Sequence, residues 1–369
     1  MRQINPDVVP AFPITPQTAI MQDFATYVSN GVVDSEMIRV ESEHSAMSCA
    51  VGASAAGARV ITATSSAGLA LMWEIVGVAS GLRLPIVMEI VNRALSAPIN
   101  IHCDHSDSMG ARDLGWIQIY SENAQEVYEN TLIAIRLAEK ALLPVMVCQD
   151  GFITSHGVEN VEIFDDTDVK KFVGEHSYPY SLLNLKKPVT HGPLELQDYY
   201  FETRYQQVPA MEDALKEYLK IGKELGKITG RKYGLFDEFN IKDAEAVIVC
   251  LNSTAGTTKA AIERLKGKKA GLLKLRLFRP FPYKEVGEAL KKVKKVIVLD
   301  RALSFGANPP LYGEVKNALF DMGYNGKIYS GVYGLGGRNI FIEEIEKVYN
   351  DALNDELKEH FYVGLRECP

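Results

Sequence analysis

The chain lacks most of the features that would make its role obvious. No two of its five cysteines, Cys49, Cys103, Cys148, Cys250 and Cys368, form a C-x-x-C pair. That removes the ligand spacing of zinc ribbons and of iron–sulfur proteins. Cysteines scattered in this way are expected to be reduced and buried. If the protein takes part in electron transfer, the metal clusters belong on another chain. No apolar run reaches the ~18 residues of a membrane span, and no basic start with an apolar signal core is present. The expected compartment is therefore the cytoplasm. Positive charge is not in excess either: 40 Lys and Arg against 47 Asp and Glu leave a net charge of −7. Nucleic acid and anionic membranes are thus poor partners. Repeats and low-complexity segments are absent too.

What remains is an ordinary globular composition, 47% hydrophobic and 24% charged over 369 residues. At roughly 150 residues per domain, this is enough for two. Residues 1–175 alternate strand-like runs (VVPAF, MIRVE, RVITATS, PIVMEIVN, IQIYS, PVMVCQD) with helical spacing in between. Such alternation predicts βαβ units and a parallel, doubly wound sheet. The near-continuous run LPIVMEIV predicts strands buried on both faces. Residues 176–242 read as a linker plus a charged bridging helix. The α/β order resumes over 243–345 as a smaller second domain, with KAGLLKLRLF as one strand. Residues 346–369 read as a C-terminal helix and tail.

Several short stretches can carry chemistry. In RVESEHSAMSCAVGASAAGA, Glu43 falls where a strand gives way to a helix of small residues, at the carboxyl edge of the sheet where ligands bind. Taken locally, it equally suits a helix-start glutamate favoured by the dipole. Ser65, Ser66 and Gly68 form a small polar turn before the next helix, able to offer free N–H groups or ordinary capping. Thr15 sits between Pro13 and Pro16 in FPITPQT, where proline restricts the backbone on both sides. Arg93, in NRAL, is either a carboxylate-binding fork or one half of a loop salt bridge. HCDHSD (102–107) gathers His102, Cys103, Asp104, His105 and Asp107. We read it as loop capping rather than as a metal site. The turns LNSTAGTT and GLGGRN fit neither the Walker nor the dinucleotide-binding pattern, and are read as structural.

Taken together, strand–Glu-x-x-Ala–helix followed by strand–Thr-Ser-x-x-Gly–helix resembles the pyrimidine-binding domain of thiamine diphosphate enzymes. FPITPQT, RVESEHSAMS, NRALSAPINIHCDHSDSMGARDLGWIQIY and PVMVCQDGFITSH narrow this. With LKLRLFRPFP and VLDRALSFG in the second domain, they resemble the α subunits of 2-oxoacid:ferredoxin oxidoreductases along nearly the whole chain. The pyruvate enzymes are the most similar. The resemblance implies a second domain like the C-terminal domain of transketolase. It makes Glu43 the carboxyl group beside the aminopyrimidine, and Thr15 and Arg93 the contacts of the 2-oxoacid. Ser65, Ser66 and Gly68 then line the cofactor, while His105 and Asp107 shape the pocket.

No Gly-Asp-Gly motif for Mg²⁺ and diphosphate is present. A β subunit is therefore implied for that half-site, and γ- and δ-type subunits for the [4Fe–4S] clusters. The implied reaction oxidises pyruvate with coenzyme A to acetyl-CoA and CO₂ and reduces ferredoxin, reversibly. A branched-chain, aryl or 2-oxoglutarate substrate is the alternative within the family. A non-catalytic assembly subunit is the alternative outside it. Two departures stand out. The opening helix that precedes the first strand in relatives is missing, which leaves a truncated start and a real loss as alternatives. His102-Cys103 also replaces different residues of relatives, which could alter substrate preference.

Overall fold

The computed structural model describes residues 1–366. Cys368 lies outside them. The first lobe begins β1 (Val8–Ala11), α1 (Thr18–Ser29), β2 (Glu36–Arg39), α2 (Glu43–Ala56), β3 (Val60–Thr64), α3 (Ser66–Leu71), α4 (Trp73–Gly81) and β4 (Ile86–Asn92). It continues with α5 (Ser106–Gly110), β5 (Ile117–Tyr120), α6 (Ala124–Ala141), β6 (Val145–Asp150) and α7 (Asp166–Val173). Next come α8 (Tyr200–Tyr205), α9 (Gln207–Thr229), β7 (Phe236–Phe239), β8 (Ala246–Cys250), α10 (Thr254–Arg264), β9 (Ala270–Leu275) and β10 (Leu277–Arg279). The chain ends in α11 (Tyr283–Leu290), β11 (Lys295–Asp300), α12 (Pro310–Asp321), β12 (Lys327–Tyr333), α13 (Ile342–Leu353) and β13 (His360–Val363).

Two sheets result. The first has the order β10-β5-β6-β4-β3-β1-β2, parallel except for β10. The second has the order β13-β12-β11-β8-β9-β7, parallel except for β7. Every residue of β4 is buried, as its unbroken apolar run requires when helices cover both faces. From β1 the chain moves outward to β2 and then returns past β1 to β3. The first sheet therefore reverses its winding between β1 and β3, and a doubly wound sheet opens a crevice at the carboxyl ends of such a pair. The second sheet reverses between β8 and β11 for the same reason. No helix among the described residues is long and apolar enough to cross a membrane.

Three sequence expectations need correction. KAGLLKLRLF is two strands: Ala270–Leu275 belongs to the second sheet, whereas Leu277–Arg279 crosses over and pairs antiparallel with β5 of the first. Arg276 lies between them, its N–H on the Leu235 carbonyl and its own carbonyl on the Tyr120 N–H. Apolar residues continue through the crossing, so the pattern carries no mark of it. The stretch 176–242 is more than a linker, because it supplies β7 to the second sheet and packs α9 against α6. The C-terminal stretch is more than a helix and tail, because β13 closes the second sheet beside β12. One continuous apolar core accordingly runs from Met47, Met88 and Trp116 of the first lobe to Val249, Leu275 and Val298 of the second.

A buried charge network seals the crossing. Arg276 and Lys274 are each 1% exposed at the side chain. Arg276 Nη2 meets Glu126 at 2.8 Å and Asp237 at 2.5 Å, while Lys274 Nζ meets Glu122, Glu126 and Asp237. Burial alone would raise the Glu126 carboxyl, but Arg276 and Lys274 outweigh it and hold it down at about 2. A carboxyl depressed in this way stabilises the fold above its unfolded value of 4.5, and that stability is lost as pH falls towards 2. We expect Glu126→Gln to lower the unfolding free energy at pH 7 by about 3 kcal/mol. It should also flatten the acid limb of a urea-denaturation series over that window.

Candidate functional site

The sequence after each strand of the first sheet sends a short polar loop over its carboxyl edge, and these loops converge. After β1, Ile14–Gln17 forms a tight turn closed by the Gln17 N–H on the Ile14 carbonyl at 2.8 Å and fixed by the Gln17 side chain, which is fully buried. Gln17 Oε1 accepts the Ile14 N–H at 3.2 Å, and its Nε2 donates to the Ala63 carbonyl at 2.9 Å. This binds the turn to the end of β3 and leaves Thr15 exposed at the edge. Gly151, just after β6, supports the turn from behind. A Cβ there would stand 2.9 Å from Pro16 Cγ and would overlap the Asn92 carbonyl.

Arg93 follows β4 and is only 8% exposed. Its Nη1 donates to the Thr15 carbonyl at 2.9 Å and its Nε to the Asn100 carbonyl at 3.0 Å. The structure thus joins the two predicted substrate contacts directly. Among the described residues Arg93 has no carboxylate partner within ion-pair distance. A nearly buried guanidinium is therefore held by neutral oxygens alone, which is costly unless an anion completes the site.

Asp107 ties these loops together. Its Oδ2 accepts the N–H of both Ser66 and Arg93 at 3.0 Å, and its Oδ1 accepts Asn92 Nδ2 at 2.8 Å and the Ser108 N–H at 2.7 Å. Burial raises this carboxyl and the four donors pull it back, leaving it at about 6. The Ser66 N–H is therefore committed to Asp107 and is not free for a ligand. The two hydroxyls face inward as well, Ser65 Oγ on the Val91 carbonyl at 2.7 Å and Ser66 Oγ on the Ala94 carbonyl at 2.5 Å. Both serines build the wall of the site from behind.

Glu43 opens α2, whose N-cap Ser42 accepts the Ser45 N–H at 3.2 Å. The Glu43 side chain lies over Gly68. A Cβ on Gly68 would come within 2.7 Å of Glu43 Oε1 and 2.5 Å of Thr64 Oγ1. Thr64 Oγ1 is itself buried with no hydrogen-bond partner. A buried carboxyl group, an orphaned hydroxyl and a cradle that only glycine leaves open form a set able to receive the polar edge of a planar heterocycle.

His105 belongs to a different cluster. Its Nε2 pairs with Asp150 Oδ1 at 2.7 Å. Asp150 ends β6, is fully buried, and receives Arg301 Nη1 at 2.9 Å, Asn252 Nδ2 at 3.0 Å, the Ser253 N–H at 3.2 Å and the Ser253 hydroxyl. Burial alone would raise its carboxyl, but Arg301 and His105 overcome that and hold it far below the usual carboxylate range. Asn252 and Ser253 follow β8 and Arg301 follows β11. Asp150 thus fills the crevice at the switch point of the second sheet, and the LNSTAGTT turn meets a carboxylate of its own chain. Cys103 Sγ stands 3.3 Å from the same oxygen. Sequence reasoning missed Asp150, Arg301, Asn252 and Gln17. Only the position of Asp150 at a strand end carried a signal.

Comparison with known proteins places this geometry. Residues 1–222 match the family model for the pyruvate flavodoxin/ferredoxin oxidoreductase thiamine diphosphate-binding domain. Residues 244–345 match pyruvate:ferredoxin oxidoreductase core domain II. The chain is 56% identical to pyruvate synthase subunit PorA of Thermotoga maritima, over all of this chain and 95% of that one. It is 46% identical to the PorA subunit of Methanocaldococcus jannaschii over 98% of this chain and 94% of that one. It is 43% identical to ketoisovalerate oxidoreductase subunit VorA of Pyrococcus abyssi over 93% of this chain and 88% of that one. Among solved structures, the 2-oxoglutarate:ferredoxin oxidoreductase of Magnetococcus marinus superposes with a TM-score of 0.68 at 20% identity. The match covers 95% of this chain and 63% of that longer one, and supports the fold alone.

Removing the Asp150 charge leaves Arg301 buried without its counter-ion. We expect Asp150→Asn to cost about 3–5 kcal/mol in chemical denaturation. Adding Arg301→Met should recover part of that loss, because the stranded charge leaves with it.

Proposed function

The chain belongs to the pyruvate flavodoxin/ferredoxin oxidoreductase family, and we propose that Glu43, Thr15 and Arg93 are its working residues in the oxidation of pyruvate. It is a subunit of a pyruvate:ferredoxin oxidoreductase, which converts pyruvate and coenzyme A to acetyl-CoA and CO₂ with reduction of ferredoxin, and runs in reverse as a pyruvate synthase. The single observation that carries the role of this site is Arg93, a nearly buried cation with no carboxylate partner among the described residues, set against the Thr15 carbonyl. A guanidinium in that position forks onto the carboxylate of a 2-oxoacid. A purely structural subunit gains nothing from keeping such a charge uncompensated. The 56% identity to the pyruvate-named subunit of Thermotoga maritima, against 43% to the ketoisovalerate-named one, favours pyruvate over a branched substrate.

Glu43, Thr64 and Gly68 would hold the pyrimidine ring of thiamine diphosphate. When bound, the cofactor supplies the nucleophilic carbon and the electron sink for loss of CO₂. Glu43 holds a proton at the pyrimidine ring and sets its tautomer. Gly68 leaves room for Glu43 and Thr64 to approach each other, and Thr64 Oγ1, which has no hydrogen-bond partner among the described residues, would be available to the cofactor. Thr15 and Arg93 orient the substrate carboxylate at the mouth of the same crevice, while Ser65, Ser66 and Asp107 keep the wall rigid. A β-type partner supplies the Mg²⁺ and diphosphate half-site, and γ- and δ-type partners the [4Fe–4S] clusters. Among the described residues, Cys103, Cys148 and Cys250 are buried and free, and Cys49 is half-buried. The cytoplasm is the compartment this reading calls for.

In the assembled complex, Glu43→Gln should reduce turnover by about 10²–10⁴-fold with little change in the KM for pyruvate. Unchanged turnover would remove Glu43 from this role. Gly68→Ala should weaken thiamine diphosphate binding in calorimetry. Purified alone, the chain should be colourless and inactive.

A further inference from the structure

Arg93 is held at three points. Its N–H rests on Asp107 and its Nη1 on the Thr15 carbonyl, both at the edge of the first sheet. The third point, Nε on the Asn100 carbonyl, sits in a loop that stands clear of its own lobe, with Ile99 80% exposed and Ile101 42% exposed. A loop so poorly buried does not fix a carbonyl by itself. The second lobe does this. The Asn100 Nδ2 donates to the Gly336 carbonyl at 3.1 Å, and its Oδ1 accepts the His102 N–H at 2.6 Å. The Gly336 N–H donates to Asp104 Oδ2 at 3.2 Å, and the Gly337 N–H to the Cys103 carbonyl at 2.6 Å.

The contact requires glycine. Gly336 and Gly337 have φ of +59° and +81°, a region that favours residues without a Cβ. A Cβ on Gly336 would approach Asn100 Nδ2 to 2.6 Å, and one on Gly337 would overlap the His102 Cβ. We propose that Asn100 and the Gly336–Gly337 turn are positioning residues for Arg93: the second lobe clasps the loop that carries the Asn100 carbonyl and so sets the affinity for the substrate carboxylate. This rests on the reading of Arg93 as the carboxylate-binding group. It gives the second lobe a part in substrate recognition without touching the substrate.

The test uses the assembled complex and oxamate, a non-reacting analogue of pyruvate, with its Kd measured by calorimetry. Asn100→Ala and Gly337→Ala act on the clasp from opposite sides. Each should weaken oxamate binding about three- to tenfold and raise the KM for pyruvate by the same factor, with kcat and the KM for coenzyme A within twofold. The double variant should be no weaker than the worse single one, because both remove one clasp. An unchanged oxamate Kd in Asn100→Ala, or a fall in kcat at constant Kd, would overturn the proposal. If Gly337→Ala prevents assembly, Asn100→Ala decides alone, since it leaves the backbone conformation free of strain. Arg93→Lys separates the two levels. If it weakens oxamate while Asn100→Ala does not, only the clasp fails; if it leaves oxamate binding unchanged, the assignment of Arg93 fails and the clasp with it.

Discussion

The carboxylate of Asp150 is the constraint on which the architecture depends. An ionised group with no exposure must be answered in full by donors. Here the donors come from three places: His105 in the loop after β4, Asn252 and Ser253 after β8, and Arg301 after β11. Satisfying one anion therefore brings the carboxyl edge of the second sheet against that of the first. The crevice of the second sheet is closed by this arrangement. That of the first, between β1 and β3, is where the loops carrying Thr15, Glu43 and Arg93 meet.

Two buried arginines show how structure and function divide. Arg301 is 2% exposed, and its charge is cancelled at 2.9 Å by Asp150. Arg93 is nearly as buried, yet among the described residues its side chain meets only carbonyl oxygens. The same side chain in similar surroundings is a latch in one case and, on the proposed reading, a carboxylate receptor in the other. The difference is whether a carboxylate of the described residues answers the charge. Asp107 shows an intermediate use: its two oxygens collect four N–H donors and so hold the Ser66 and Arg93 loops in register.

Much of this was legible in the sequence. The parallel strands announced themselves as apolar runs, and Glu43, Thr15 and Arg93 fell at strand ends where a doubly wound sheet places its ligands. The misses have physical reasons. Leu277–Arg279 continues the apolar pattern of β9, so nothing in the residues says that the chain changes sheets at Arg276. Phe236–Phe239 is too short for its alternation to stand out from a linker. The helical stretch GLALMWEIVGVASGL breaks at Met72 into α3 and α4, with no glycine or proline at the break. Gln17 and Asn252 are buried polar residues and Asn100 a half-buried one, and the importance of all three comes from partners distant in sequence. Ser65 and Ser66 do lie at the turn after β3, but the direction of their hydroxyls depends on Val91 and Ala94, which no local pattern reveals.

The crossing from β9 to β10 has a mechanical consequence. A single residue, Arg276, separates a strand of one sheet from a strand of the other, and its backbone bonds to both sides. Bending one lobe away from the other would have to tear a strand from β5 and expose the charges gathered around Lys274. The two lobes therefore move as one body. Any opening of the crevice therefore falls to the short exposed loops at its rim, against which the joined lobes act as a fixed anvil.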